Sequence, residues 1–256
     1  HEVEVIDERL DFTAHCPALA RLAEAGPGFV FNCVGRIKQK TASRQDLFDG
    51  NAIVPLMLAE RMAPEQFLIH PSTDCVFSGQ ASVPYRWDDP CDAQDDYGWS
   101  TRLGEVALLG RAQATVVRVS IIGPDRVAEE PRGLLGWFLS QPAGAVLQGY
   151  VNHLWNGITT LEWCRLVESN IMADPARRWA GRVLQLGTEQ MISKHDLLVL
   201  FQRIYGTDYR IERFTAPNTV NRCLVGQVVA SDIGAQLQAL RAFEAAHGSL
   251  LSGHAR

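Results

Sequence analysis

At 256 residues, with 46% hydrophobic side chains, the chain is long enough for one large α/β domain or two small ones around a substantial core. No run approaches the roughly 18 to 20 apolar residues that span a bilayer, and no apolar segment near the start has the form of a secretory signal. With 24 basic against 29 acidic residues the net charge is −5, and the scattered GRIKQK stretch (residues 35–40) is the densest basic run, so no nucleic-acid footprint is present.

The first seven residues, HEVEVID, alternate β-branched with acidic side chains and read as a strand with one solvated face. CPALARLAEAGPG then places Leu19, Leu22 and Ala23 on one helical face, with Gly26 and Pro27 as the stop. FVFNCVG (29–35) has the continuous apolar character of a buried parallel strand, closed by Cys33, Val34 and Gly35. NAIVPLMLAERM (51–62) predicts a helix, QFLIHPSTD (66–74) a strand, the stretch from Tyr97 a further helix and ATVVRVS (114–120) a further strand. Strands alternating with helices imply right-handed βαβ units, so the expected fold is α/β with a Rossmann-type parallel sheet.

After Ile122 the rhythm loosens through GPDRVAEEPRG and the aromatic GWFLSQ and GYVNHLWNG. Residues 1–122 are therefore expected to form the cofactor-binding part. Residues 123–256 are expected to form a smaller, mainly substrate-binding C-terminal lobe with some segments returning to the sheet. Thr159 with Glu162 and Ser193 with Asp196 have capping-box spacing, Gly206 closes the second of these helices, and Leu197, Leu200, Phe201 and Ile204 form its core stripe. Six cysteines (Cys16, Cys33, Cys75, Cys91, Cys164, Cys223) show no CxxC pair and no metal spacing. They are expected to be mostly buried thiols of a reduced, cytoplasmic protein without a metal site.

The strand ending in HPSTDCVFSG puts Ser72, Thr73 and Asp74 at the carboxyl edge of a parallel sheet, where open α/β folds bind ligands. Tyr97 follows 24 residues after Thr73, at a helix start. A threonine hydroxyl and a phenol that share one substrate oxygen can polarise it and pass it a proton. Small residues at Cys33, Val34 and Gly35 allow close approach of a cofactor to the backbone.

NCVG, STDCVFSG, PYRWDDP, YGWSTRLGE and VVRVSIIG stand in the order and spacing of the extended short-chain dehydrogenases/reductases. They most resemble the dTDP-4-dehydrorhamnose reductase branch, over about residues 1–160 and more weakly to about 225. The resemblance implies NAD(P)H-dependent reduction of a 4-keto deoxysugar nucleotide in surface polysaccharide synthesis, with Tyr97 as proton donor, Thr73 as carbonyl donor and Asp74 beside them. It implies further that Asp7 binds the adenosine ribose and favours NAD, and that Asp11 and Phe12, in LDFT, lie near the adenine. Asn152, Trp155 and Asn156 would touch the sugar nucleotide; His153 among them reads as structural. A homodimer is compatible with this reading. Related dehydratases carry Thr-Asp-Glu, and Cys75 in place of that glutamate favours reduction over dehydration or epimerisation.

Two departures stand against the pattern. The lysine expected four residues after Tyr97 is Thr101, and Arg102 is turned about 100° away on a helix. Forming a phenolate at pH 7 without a nearby cation costs about 4 kcal/mol, so an oxidation would suffer most, whereas a reduction starts from the protonated phenol. This points to an impaired reductase, to a non-catalytic binding or regulatory homologue, or to a replacement cation such as Lys38. The family's first strand and its Gly-x-x-Gly-x-x-Gly turn are also missing from this chain. That strand would be central to the sheet, so roughly 25 to 30 residues are expected to precede His1 or to come from another chain.

Overall fold

The alternation of strands and helices is present in the computed structural model, which describes residues 2–6, 16–37, 43–125 and 133–251. In chain order the elements are α1 (Pro17–Glu24), β1 (Gly28–Phe31), α2 (Arg44–Phe48), a π-helical turn (Asp49–Ile53), α3 (Val54–Arg61), β2 (Gln66–Thr73), a 3-10 turn (Asp74–Val76), α4 (Asp96–Leu108) and β3 (Ala114–Val119). There follow β4 (Ile121–Ile122), α5 (Leu134–Leu139), β5 (Val146–Tyr150), β6 (His153–Trp155), β7 (Ile158–Thr159), α6 (Thr160–Val167) and a second π-helical turn (Glu168–Met172). The last are β8 (Val183–Gly187), β9 (Ile192–Ser193), α7 (Lys194–Tyr205), β10 (Arg210–Phe214), β11 (Val220–Asn221), β12 (Val228–Val229) and α8 (Ile233–Leu251). The main sheet has strand order β1-β2-β3-β8-β12, with β1/β2 and β8/β12 parallel. No helix among the described residues is long and apolar enough to cross a membrane.

The chain divides into two units. The first comprises His1–Ser72, Cys91–Arg118 and Pro175–Leu184. Its core gathers Leu19 and Leu22 of α1, Leu58 of α3, Leu68 of β2, Leu108 of α4 and Val116 of β3. On α1 the buried face is Ala18, Leu19 and Leu22, while Ala23, expected with them, is exposed in the last turn. HEVEVID does not form a strand over its described part: Glu2–Ile6 is irregular, with Val3 and Val5 exposed. Glu4 is drawn to Arg21 of α1 at 2.6 Å, and Ile6 packs on the core, so side-chain contacts replace the backbone partner a strand needs.

β1 is parallel, as expected, but among the described residues it is an end strand and not a buried one, and Phe31 is 39% exposed. Its ladder stops at Phe31 because the Asn32 side chain accepts from the Val34 amide at 3.0 Å, turning the backbone away from the sheet. Asn32 also donates to His70 Nδ1 at 2.9 Å, which leaves the proton of the neutral ring on Nε2, buried and without a partner among the described residues. Burial pulls the His70 imidazole down to about 4.

Helix α4 starts on Asp95, whose side chain accepts from the Gly98 amide at 2.9 Å. Two turns on, Gly104 lies against the π-helical turn so closely that a Cβ would stand 2.1 Å from the Asn51 carbonyl oxygen. The next residue, Glu105, is fully buried and receives a bidentate bond from Arg118 of β3, Nε at 2.9 Å and Nη2 at 2.8 Å. Ser72, near the end of β2, donates to the same carboxylate at 2.6 Å, and Arg102 at 2.7 Å. Burial pushes the Glu105 carboxyl up, but these donors outweigh it and hold it below the usual carboxylate range.

The second unit comprises Thr73–Pro90, Val119–Asp174 and Gln185–Arg256. Its core joins Leu135 and Phe138 of α5, Leu147 of β5, Trp155 of β6, Leu197, Phe201 and Ile204 of α7, and Leu237 of α8. The capping expectations are met: Thr159 accepts from the Glu162 amide at 3.2 Å, and Ser193 from the Asp196 amide at 3.0 Å. Gly206 ends α7 with φ 72° and ψ 35°, the left-handed cap for which glycine carries no Cβ penalty. Of the cysteines only Cys16 and Cys223 are buried, and Cys33 and Cys164 are exposed, so most of them are not core thiols.

Two stability measurements test this packing. Glu105→Gln leaves Arg118 charged in the core without its anion and is expected to lower unfolding free energy by about 3 to 5 kcal/mol in urea titrations, against about 0.5 kcal/mol or less for the exposed Glu4→Gln. His70 has a folded pKa below its unfolded value, so its contribution is complete above about pH 6.5 and fades as pH falls toward about 4. His70→Gln is expected to flatten the urea-midpoint slope across that window.

Candidate active site

Thr73 ends β2 and caps the 3-10 turn that follows, its oxygen accepting from the Cys75 amide at 3.2 Å. Its single proton is donated to Asp74 Oδ1 at 3.1 Å. Burial pushes the Asp74 carboxyl above the usual range, opposed by Lys194, by Arg222 and by hydrogen bonds from Thr73 and Ser120. Cys75 faces Asp74 Oδ1 at 3.8 Å and Arg222 Nη1 at 3.6 Å. The Cys223 thiol, desolvated and beside Asp74, is pushed up to about 12 and is therefore neutral.

Lys194, the first residue of α7, is the cation that acts most strongly on this carboxyl. Its ammonium sits over the Trp155 ring, 5.2 Å from the centroid. Burial pulls it down to about 8, while Asp74, Cys223 and Cys75 act in the opposite direction. Trp155 is 4% exposed, and its indole nitrogen donates to Ser120 Oγ at 2.9 Å. Trp155 thus offers little surface to a sugar and serves as the seat of Lys194.

The neighbouring asparagines hold backbone. Asn156 is buried, donates to the Thr188 and Leu224 carbonyls at 2.8 Å and accepts from the Leu224 amide at 2.8 Å. Asn152 brackets Ala216, donating to its carbonyl and accepting from its amide, both at 2.9 Å. His153 meets the Asn218 carbonyl at 3.2 Å and the Tyr150 ring at 4.7 Å, in keeping with the structural role expected of it.

In the first unit Tyr97 stands in the opening turn of α4. Its carbonyl accepts from Ser100 Oγ at 3.0 Å and from Thr101 Oγ1 at 2.9 Å. Thr101 is buried and its hydroxyl is tied to the helix, so it brings no charge to the position. Asn51 ties the helix to the loop after β1, donating to Ser100 Oγ and the Arg36 carbonyl at 3.0 Å and accepting from the Arg36 amide at 2.8 Å. In that loop Cys33 and Val34 are exposed, and a Cβ on Gly35 would come no nearer than 3.8 Å to Asn51. Packing among the described residues does not demand glycine there. Asp7, Asp11, Phe12 and Lys38 lie outside the described residues.

Lys194, Ser120 and Asn51 were not singled out in the sequence. Lys194 is 120 residues from Asp74 and carries no motif, so only tertiary structure reveals it. Asn51 had one usable signal, a polar residue at the head of an otherwise apolar helical run. Among the described residues no three His, Cys, Asp or Glu side chains gather as a metal set.

Residues 5–127 match the RmlD substrate binding domain family. A probable dTDP-4,6-dihydroxy-2-methyloxan-3-one 4-ketoreductase of Streptomyces antibioticus is 37% identical over 118 residues, 44% of this chain and 40% of that protein. The chain thus matches less than half of that relative's length. A dTDP-4-dehydrorhamnose reductase of Clostridium acetobutylicum superposes with TM-score 0.74 at 18% identity, over 88% of this chain and 84% of that one. The corresponding enzyme of Bacillus anthracis, in complex with NADP, gives 0.74 at 13% identity over the same 88% and 84%.

Proposed function

We propose that this chain, which has the fold of an extended short-chain dehydrogenase/reductase of the dTDP-4-dehydrorhamnose reductase type, reduces the keto group of a dTDP-linked deoxysugar. The match over residues 5–127, which contains the Thr73 and Tyr97 motifs, carries the reading. The Streptomyces relative adds a 4-ketoreductase name, and its substrate, a ring ketone with a hydroxyl on the adjacent carbon, suggests an α-hydroxyketone here too. The NADP complex of the Bacillus neighbour supports a nicotinamide cofactor, and Asp7 supports NADH as the preferred form.

A reduced nicotinamide supplies hydride when bound, with Cys33, Val34 and Gly35 as one wall of its site. The remaining task is to stabilise the carbonyl oxygen as it gains negative charge and to give it a proton. We assign the proton to the Tyr97 phenol, since an ordinary phenol carries its proton at neutral pH without help from a lysine. Thr73 is assigned to the oxygen itself; rotation about its Cβ–Oγ1 bond takes the proton from Asp74 to the substrate. The thiol side chain at position 75, where the dehydratase pattern has glutamate, supports reduction over elimination. We assign the product to surface polysaccharide synthesis, the process that the sequence resemblance implies.

The buried, uncharged Thr101 favours one second reading, a non-catalytic homologue that binds nucleotide sugars. Oxidation of NADH and NADPH by a dTDP-4-keto-6-deoxyhexose separates the two. The wild type is expected to turn over, and Tyr97→Phe to lower kcat/KM by about 10² to 10⁴-fold. Thr101→Lys is expected to raise kcat, because a cation there steadies the phenolate left after proton donation. Absence of turnover in both wild type and Thr101→Lys, with ligand still bound, would establish the non-catalytic reading instead.

A further inference from the structure

A lysine at the first position of a helix faces the positive end of the helix dipole and gains nothing from it. Lys194 occupies that position in α7, so its placement there calls for another partner. Among the described residues its ammonium closes no hydrogen bond and no ion pair; its contact is the Trp155 ring. Trp155 is fixed through Ser120, Ser120 bonds Asp74, and Asp74 holds the Thr73 proton. Thr73, Asp74, Ser120, Trp155 and Lys194 therefore form one continuous chain of contacts within the second unit.

The charged and titratable groups around this chain narrow what it can take. Lys194 faces Asp74, Cys75 and Cys223, and Asp74 faces Lys194 and Arg222. Arg222 is occupied by the Phe77 carbonyl at 3.1 Å, the Ser78 carbonyl at 3.3 Å and the Cys75 sulfur. What remains, among the described residues, is an ammonium whose donors close no hydrogen bond and which acts on a carboxyl that accepts. A phosphate only accepts and would be repelled by an ionised Asp74; a ketone oxygen satisfies the lysine alone. A hydroxyl does both, accepting from the ammonium and donating to the carboxylate.

We propose that Lys194 and Asp74 form a subsite for the hydroxyl on the carbon adjacent to the reacting ketone, so that the protein selects α-hydroxyketone sugars over their deoxy counterparts. The identity of that carbon rests on the reductase reading, in which Thr73 meets the ketone oxygen one residue from Asp74; the hydroxyl preference itself does not. The subsite also assigns Trp155 a part that is not sugar contact: its ring holds in place a cation that has no ion pair among the described residues. A charged donor lost from such a bond weakens binding by about 10- to 100-fold.

Isothermal titration of a dTDP-6-deoxyhexose with a free hydroxyl at carbon 3, and of its 3-deoxy counterpart, tests it in wild type, Lys194→Met and Lys194→Arg, with thermal melts to confirm folding. Wild type is expected to prefer the hydroxylated ligand by about 10- to 100-fold, and Lys194→Met to lose the preference while binding the 3-deoxy ligand as wild type does. The preference should decline as pH rises through about 8, where the ammonium gives up its proton, and should persist in Lys194→Arg. Equal loss of both ligands in Lys194→Met, or no loss of either, would overturn the subsite while leaving the reductase reading intact. Ligand preference without turnover would remove the reductase reading and keep the subsite. Failure of wild type to bind either ligand would remove both.

Discussion

Arg118 and Glu105 are both buried, and the order of the first unit depends on their meeting. Each would be costly in the interior alone; together, with Ser72 and Arg102 filling the remaining lone pairs of the carboxylate, they are satisfied. The pair fixes more than stability. Glu105 lies eight residues along α4 from Tyr97, so its attachment to β3 and to the end of β2 sets how that helix is rotated and how far it advances. Gly104 complements it by letting α4 approach the π-helical turn to backbone contact. A hydrophobic interface would tolerate slippage of a helix along the sheet. A bidentate guanidinium–carboxylate pair next to a glycine contact tolerates little.

The second unit uses polar groups differently. Asn152 and Asn156 close loops by bonding backbone, and Tyr85 does the same through its hydroxyl, which accepts from the Gly79 amide at 3.1 Å and the Ala81 amide at 3.2 Å. Against this satisfied background Lys194 stands out, seated on an aromatic face with its donors unused among the described residues. Burial weakens its hold on its proton and also raises Asp74, so the two groups sit closer in proton affinity than free lysine and aspartate do. Such a pair can respond to a ligand that bridges it, which a tight ion pair would not.

Much of the fold was legible in the sequence because it is written locally. Alternating apolar strand runs and helical stretches predicted β1 to β3 with their helices, and the spacings Thr159–Glu162 and Ser193–Asp196 predicted two helix starts that the structure contains. Local pattern failed where tertiary context decides. HEVEVID has strand periodicity but takes side-chain partners instead, and FVFNCVG has the composition of a buried strand but ends the sheet, turned off it by Asn32. The site was legible only as motifs. Thr73, Asp74 and Tyr97 sit at the ends of elements that the sequence announces. Glu105, a charged residue in a helical run, gave no sign that it is fully buried, and Lys194 gave none that it approaches Asp74. Both depend on residues brought together from distant parts of the chain, which no periodicity records.

The central claim is carbonyl reduction of a nucleotide-linked sugar. Incubating the protein with a dTDP-4-keto-6-deoxyhexose and nicotinamide cofactor deuterated at the transferable position, and reading the product by NMR, tests it most directly. The expected product carries one deuterium on the former carbonyl carbon, in a single stereochemical configuration. A recovered sugar with no deuterium on that carbon, or a product that has lost a hydroxyl as water, would contradict it.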